Sequence, residues 1–80
     1  MNIGEAVRKR IKDLCENKGI TINKLGTICG ITQSTLSNIV NGRNQSVTLL
    51  TIKKICDGLE LSVKDFFSDE LFSDLDQEIK

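Results

Sequence analysis

The chain has 80 residues, which is enough for one small domain with a modest hydrophobic core. It contains no Pro, Trp, Tyr or His, its aromatic content is 4%, and no alternating β-branched run is present. This composition predicts an all-α fold. The lack of His and of a glycine-rich phosphate loop argues against an enzyme, and we expect no cofactor and no metal ion.

The charges are unevenly distributed although the formal net charge is zero. Residues 1–54 carry nine Lys or Arg and three acidic residues, whereas residues 55–80 carry two Lys and eight acidic residues. Such an asymmetry indicates one part of the chain that faces nucleic acid and an acidic remainder that does not.

The cysteines and the apolar segments bear on the cellular compartment. Cys15, Cys29 and Cys56 are odd in number, form no CxxC pair and have no His to complete a metal site. We interpret them as reduced thiols of the core, because free Cys behaves as a small hydrophobic residue. No signal peptide and no apolar run of 18 residues is evident, so we expect a cytoplasmic protein without a membrane partner.

The first predicted helix begins after Asn2 and ends at Gly19. Asn2 and Glu5 have the spacing of a capping box, and Gly19 supplies a left-handed stop. The apolar residues that should face the core recur at helical spacing and are Val7, Ile11, Leu14 and Cys15. We interpret the basic run at residues 8–12 as a solvated face of this helix.

Two short helices follow, predicted over residues 22–29 and 33–41. Their predicted caps and stops are Thr21, Gly30, Thr32 and Gly42. Their predicted inward residues are Leu25, Ile28, Leu36, Ile39 and Val40. Because a three-residue turn that contains a glycine joins them, the pair is typical of a helix-turn-helix.

Two more helices and an acidic segment complete the chain. Thr48 caps the fourth helix, and Ser62 with Asp65 gives a capping-box-like start to the fifth. The fourth helix should bury a stripe formed by Leu49, Ile52, Ile55, Cys56 and Leu59, and the fifth helix carries Val63, Phe66 and Phe67. The acidic residues 68–80 hold apolar residues at helical spacing and form either a sixth helix or a frayed tail. We therefore divide the chain into a domain, 1–67, and a C-terminal segment, 68–80.

Three segments carry a family resemblance: GITINKLG, GITQSTLSNIVNGR and TLLTIKKICDGLELSVKDFF. In their order and spacing they resemble the phage-repressor family of DNA-binding regulators, called Cro-type or Xre-type, over about residues 3–67. The resemblance implies a five-helix DNA-binding domain whose helix-turn-helix is formed by helices two and three.

The sequence departs from this family at three places. Gly26 stands where the family usually has Ala, at a cost of about 1 kcal/mol in helix propensity. Cys15 and Val40 stand where many members have an internal pair of Arg and Glu. Because both residues of the pair are replaced, no buried charge is left without a partner. Ile22 replaces a Gln that often holds a phosphate, so only the backbone amides at that helix start remain for this role.

The third helix has a polar face without charge. Gln33, Ser34 and Asn38 fall on the positions that point at bases in the family, and amides and hydroxyls suit base edges. Thr35 and Ser37 are secondary candidates for base or phosphate contact. The predicted phosphate contacts are Lys18, Thr21, Lys24, Asn41 and Arg43. The alternative is that these residues form an ordinary solvated surface.

These features predict a sequence-specific regulator of transcription that binds double-stranded DNA as a homodimer on a near-palindromic operator, within the nucleoid and without a small-molecule ligand. The predicted dimer interface comprises Phe66, Phe67, Leu71, Phe72 and Leu75, more apolar surface than the small core can obviously absorb. Alternatively, the two adjacent Phe residues only close the monomer core and the tail is disordered. A rival function is a protein-interaction module, as in antitoxins, whose acidic C-terminus binds a partner protein.

Overall fold

The structure is a computed structural model and describes residues 1–42 and 47–79. Its elements in chain order are α1 (Ile3–Lys18), α2 (Ile22–Cys29), α3 (Gln33–Val40), α4 (Leu49–Gly58), α5 (Val63–Phe67) and a short 3-10 turn (Glu70–Phe72). The predicted all-α fold with five helices is confirmed. Within the two described ranges, the helices are too short or too polar for any of them to cross a membrane.

Each helix begins at the capping side chain that the sequence predicts. At α1 the side chain of Asn2 accepts the Glu5 amide at 2.9 Å, and the Glu5 carboxylate accepts the Asn2 amide at 3.5 Å. The caps of the other helices likewise accept the amide three residues later and are Thr21, Thr32, Thr48 and Ser62. Such a cap stabilises a helix by about 1 kcal/mol, because it satisfies an amide that the helix start leaves unpaired.

Two helices end as predicted and one ends a residue early. Gly19 and Gly30 follow α1 and α2 with φ of +66° and +69°, in the left-handed region that favours glycine. The predicted helix over residues 33–41 instead ends at Val40. Asn41 has left the helical conformation, and the left-handed residue is Gly42, with φ of +75°.

One hydrophobic core receives side chains from all five helices. Its largest fully buried members are Ile11, Leu25, Leu36, Ile39, Ile55, Cys56 and Phe66. Cys15 and Cys56 are buried and Cys29 is half-buried, and all three are free thiols. The stripes predicted for α1 and α3 therefore face the core, with Val40 half-buried at the edge.

Two residues that were predicted to be buried are exposed. Ile28 is 42% exposed, because Leu25 and Cys29, four residues apart, form the side of α2 that packs inward. Leu49 is 78% exposed, because it is the first residue of α4 and extends past the core that Ile52 reaches. Helical spacing predicts which side of a helix faces the core. It does not predict how much of that side the neighbouring helices cover.

The C-terminal segment folds back onto α1 and is not a sixth α-helix. The turn at residues 70–72 packs against α1, and the Phe72 ring lies 4.9 Å from the Phe67 ring and 6.2 Å from the Phe66 ring, between centroids. Further along, the Asp76 amide donates to the Met1 carbonyl at 3.0 Å. Its apolar residues are therefore placed by contacts with the helices rather than by helical periodicity.

Arg10 joins α1 to the end of α5, although the basic run that contains it was interpreted as solvated. Its side chain is only 13% exposed. Nε donates to the Phe66 carbonyl at 2.7 Å, Nη2 to the Asp65 carbonyl at 2.9 Å and Nη1 to the Asp69 carboxylate at 3.2 Å. The last carbonyls of a helix have no partner within it, so Arg10 completes the end of α5. We call these three contacts the Arg10 clamp.

Candidate nucleic-acid interface

The turn between α2 and α3 leaves the outer side of α3 open to solvent. The Ile31 amide donates to the Gly26 carbonyl at 3.0 Å, and the Ile31 side chain is buried in the core. α1 and α2 pack against the inner side of α3. On the outer side, the structure brings together four exposed residues and the half-buried Asn38; the exposed ones are Gln33, Ser34, Thr35 and Ser37.

The Gln33 side chain lies back against α2. Its Nε2 donates to the Asn23 carbonyl at 3.0 Å. A Cβ atom at Gly26 would lie 2.7 Å from this Nε2 and 3.0 Å from the Ile31 carbonyl oxygen. The amide of Gln33 thus occupies space that only a glycine at position 26 leaves open.

Ser34 and Asn38 lie next to each other on the outer side of α3. They are four residues apart and therefore neighbours on one side of α3. Within the described parts of the chain, neither side chain makes a hydrogen bond, and both keep their donors and acceptors available.

The two secondary candidates each have a partner inside the helix-turn-helix. The Thr32 hydroxyl donates to the Thr35 hydroxyl at 2.8 Å, and Asn41 Nδ2 donates to the Ser37 hydroxyl at 3.0 Å. In both pairs the accepting hydroxyl keeps its own proton, which it can still donate to a phosphate or a base. Thr35 and Ser37 are thereby oriented, and Asn41 has one of its amide protons in use.

Three of the five predicted phosphate contacts lie around the start of α2 and the end of α1, while Asn41 lies at the end of α3. Lys18 and Lys24 are exposed, and Thr21 accepts the Lys24 amide at 3.0 Å while keeping its hydroxyl proton. The positive end of the α2 dipole points out of the same place, so these groups favour an anion there. The remaining candidate, Arg43, lies outside the described residues.

The structure adds a cation that sequence reasoning missed. The Arg8 guanidinium lies beside Gly42, where a Cβ atom would be 3.5 Å from Arg8 Cζ and 3.6 Å from Nε. A positive charge at this point faces the negative end of the α3 dipole. The contact depends on how α1 packs against α3, so nothing in the local sequence around Arg8 indicates it.

Comparison with known proteins identifies the family. The sequence profile of the Cro/C1-type HTH DNA-binding domain matches residues 10–71. The chain belongs to this family. The prediction made from the three sequence segments is thus confirmed, and the helix pair α2 and α3 is the helix-turn-helix of a Cro/C1-type DNA-binding domain.

A curated relative and a solved structure agree with this assignment. The chain is 35% identical over 57 residues to YopS, an SPbeta prophage-derived HTH-type transcriptional regulator of Bacillus subtilis (strain 168), and the match covers 71% of this chain and 77% of YopS. The crystal structure of the prophage Lp1 protein 11 matches with a TM-score of 0.81 and 34% sequence identity. That match covers 94% of this chain and all of the other, so the two proteins share the fold over nearly the whole of this chain.

The residues predicted for a dimer interface are divided between the core and the surface. Phe66 is fully buried in the protomer. The four others are half-buried: Phe67, Leu71, Phe72 and Leu75. Phe66, Phe67 and Phe72 form an aromatic cluster within one Cro/C1-type domain, as the ring distances show.

Two strongly exposed large apolar residues lie elsewhere on the domain. Leu49 and Leu50 are 78% and 64% exposed at the start of α4. Leu49 also lines an apolar groove of about 230 Å³, with Ile3, Gly4, Val7, Val47, Ile52 and Phe67 as the other lining residues. Apolar surface is therefore present both at Leu71 and Leu75 and at Leu49 and Leu50.

Proposed function

We propose that this Cro/C1-type protein regulates transcription by binding a double-stranded operator with α3 in the major groove. The observation that carries the proposal is the uncharged polar face of α3, in which Ser34 and Asn38 make no side-chain hydrogen bond to any described residue and Gln33 carries an amide. Amides and hydroxyls match the donor and acceptor pattern of base edges, and the recognition helix of such a motif reads them in the major groove. The likeness to YopS supports a role in transcription.

Phosphate contacts set the register of α3 on the duplex. We assign them to Lys18, Thr21, Lys24, Asn41 and Arg43. The exposure of Lys18 and Lys24, together with the amides at the α2 start, supports this assignment. These contacts hold the helix in place without selecting a sequence.

We further propose that the protein binds as a homodimer on a near-palindromic site. The eight residues of α3 extend about 12 Å along the helix axis, so one copy reads only a few base pairs. A two-fold pair would place two such helices one DNA turn apart, about 34 to 36 Å. Leu71 and Leu75 supply the outer surface of the proposed interface, and Phe67 and Phe72 support it from beneath, while Phe66 belongs to the core.

Selection of bound sites from random double-stranded DNA tests the readout. The unmodified protein should enrich a defined motif, and replacing Gln33 and Asn38 with Ala should each relax one position, since a good bidentate contact discriminates by about 1 to 3 kcal/mol. Lys53→Ala is the matched control, because Lys53 is exposed on α4 and its ion pair with Asp57 lies within the same helix. A motif that is unchanged in the Gln33 and Asn38 double variant would refute the base readout.

Sedimentation velocity at micromolar concentration, with and without a selected operator, tests the dimer. We expect a dimer that becomes monomeric when Leu71 and Leu75 are both changed to Ser, and Phe72 is left in place because it packs within the protomer. The matched control changes Leu49 and Leu50 to Ser. If only the control variant dissociated, the interface would lie at the groove beside α4 instead. If the unmodified protein bound a single half-site as a monomer, the proposed dimer would be refuted.

A further inference from the structure

The two arginines of α1 lie in different surroundings. Arg10 donates three hydrogen bonds to the end of α5 and to the segment after it. Arg8 is half-buried, and its guanidinium lies against Gly42, just beyond the end of α3. Within residues 1–42 and 47–79, Arg8 forms no ion pair with a carboxylate and its side chain donates no hydrogen bond. The charge of Arg10 is therefore used inside the domain, whereas that of Arg8 has no acidic partner in the described part of the chain.

The packing of α1 against α3 determines where the Arg8 charge lies. Val7 and Ile11, which flank Arg8 along α1, are both buried in the core. The Arg8 side chain therefore extends from a fixed backbone towards the end of α3. In the sequence, Gly42 is followed directly by Arg43, which we assign to a phosphate. Arg8 thus lies beside the point where the chain continues into a proposed phosphate contact.

The other proposed phosphate contacts lie near the start of α3. Gln33 Nε2 donates to the Asn23 carbonyl at 3.0 Å, so the first residue of α3 touches α2 directly beside Lys24. The eight residues of α3 separate this contact from Gly42 by about 12 Å along the helix axis. Because the major groove is also about 12 Å wide, cations near the two ends of α3 can each meet a different phosphate.

We propose that α1 supplies a phosphate contact through Arg8, which holds the end of α3 on the duplex while Lys18 and Lys24 hold its start. This inference rests on the proposed function, in which α3 lies in the major groove. A guanidinium stays charged at neutral pH and can donate two parallel hydrogen bonds to a phosphate. A helix held at one end can pivot about that end, whereas contacts at both ends fix its direction. Arg8 is thus a positioning residue, because a phosphate contact carries no sequence information.

The alternative is that Arg8 acts only within the protein. The helix dipole favours a cation at the end of a helix, so Arg8 would then stabilise α3 without touching DNA. The two roles differ in their dependence on salt. A phosphate contact releases a counterion and adds about 0.9 to the slope of the logarithm of the association constant against the logarithm of salt concentration. A contact within the protein adds nothing to this slope.

The variant Arg8→Gln distinguishes the two roles. Fluorescence anisotropy with the duplex selected from random DNA, over a salt series, gives the slope for the parent and the variant. We expect the slope of the variant to be shallower than that of the parent by about 0.9. The loss of affinity should accordingly be about 3.5 times larger at about 50 mM salt than at about 200 mM salt. The selected base motif should stay the same, since the lost contact is to a phosphate.

Lys9→Gln is the matched control. It removes the same charge at the next residue of α1, which is exposed to solvent. We expect this variant to keep the slope of the parent. Arg8→Lys keeps the charge and should also keep the slope, although it binds more weakly because Lys cannot form the two parallel hydrogen bonds.

Neutral phosphates in the DNA locate the contact. Replacing single phosphates of the selected duplex with methylphosphonates removes one charge at a time. At one position in each half-site, the replacement should weaken binding by the parent and have no further effect on Arg8→Gln. If every replacement weakened the parent and Arg8→Gln by the same factor, Arg8 would touch no phosphate and the inference would be overturned.

The salt series has equally definite outcomes. Affinity that fell by the same factor at every salt concentration in Arg8→Gln would show that Arg8 acts only within the protein. An equal change of slope in Lys9→Gln would show an effect of net charge and not of a contact. Should Arg8→Gln fail to fold by circular dichroism, Arg8→Met takes its place, and failure of both would assign Arg8 to folding. Each of these results overturns the inference and leaves the proposed function intact, whereas a parent that binds no duplex DNA would refute the proposed function itself.

Discussion

Replacing Arg10 with Met should destabilise the domain by about 2 to 4 kcal/mol, most of it from the loss of the hydrogen bonds to α5. The side chain is 13% exposed and makes three hydrogen bonds, two of them to the carbonyls of Asp65 and Phe66. The third partner, Asp69, is 33% exposed, so its ion pair is screened by solvent and contributes the smallest share. Met keeps an apolar stem against Phe66, so the change removes the polar contacts with little loss of packing.

A domain of this size has a free energy of unfolding of about 4 to 12 kcal/mol, so this loss removes a large share of the stability. The melting temperature of the variant should fall by about 10 to 30 °C. Arg10→Lys should lie between the two proteins, since Lys keeps the charge but cannot donate in the directions of a planar fork. The carbonyls at the end of α5 would then turn to water, and the segment beyond Phe67 would loosen from α1.

Urea unfolding followed by circular dichroism measures these differences. Lys53→Ala is the reference, because the ion pair between Lys53 and Asp57 is exposed on both sides and its loss should leave the unfolding midpoint unchanged. If Arg10→Met shifted the midpoint no further than Lys53→Ala, the Arg10 clamp would have no role in stability, and the reasoning from burial and hydrogen bonding would be refuted.

Three further predictions follow from the packing, the thiols and the charges. Gly58→Ala should destabilise the domain by about 1 to 3 kcal/mol, because a Cβ atom there would overlap the Cys29 sulfur, and Cys29→Ala should relieve part of the loss in a double-mutant cycle of unfolding free energies. If the losses in unfolding free energy of Gly58→Ala and Cys29→Ala simply added in the double variant, the overlap would be contradicted. Burial raises the pKa of the Cys29 thiol above its ordinary value of 9.0, so stability should be constant below that pH and fall as the pH rises above it. The urea unfolding midpoints of the parent and of Cys29→Ala, measured over a pH series, check this. If the two midpoints changed equally with pH between about pH 8 and 10, the prediction would be contradicted. Finally, with Lys18, Lys24 and Arg43 as the cationic phosphate contacts, the logarithm of the DNA association constant should fall against the logarithm of salt concentration with a slope of about −3 per protomer. Fluorescence anisotropy over a salt series measures this slope, and a much steeper value would mean that the phosphate contacts are misplaced.

Most of the fold could be predicted because its signals are local. A cap such as Thr21 and a stop such as Gly30 act within a few residues, and both are visible in the sequence. The exposure of Ile28 and Leu49 could not be predicted, because it depends on where the neighbouring helices end. Arg10 was missed for a related reason: its partners lie more than 50 residues away in the chain.

In the candidate site, too, some features follow from the local sequence and others depend on how the helices pack. The positions of Ser34 and Asn38 on the outer side of α3 follow from helical spacing, and the structure places them there. The orientation of Gln33 depends on a carbonyl of another helix and on the missing side chain of Gly26, and neither is readable from the pattern of α3 alone. The position of Arg8 beside Gly42 likewise arises only when α1 and α3 pack together.

The local caps have a consequence for how such a protein can acquire new specificity. Because Thr32 fixes the start of α3 through the amide of Thr35, the rotation of the helix does not depend on what its exposed positions carry. Ser34 and Asn38 contribute nothing to the core, so an engineer can exchange them for other side chains with little effect on the scaffold. Gln33 is different, since its amide bonds to the Asn23 carbonyl and lies over Gly26, so a new residue there also changes a contact with α2. Diversification of target sites should therefore proceed freely at two positions, whereas a change at the third also alters the contact between α2 and α3.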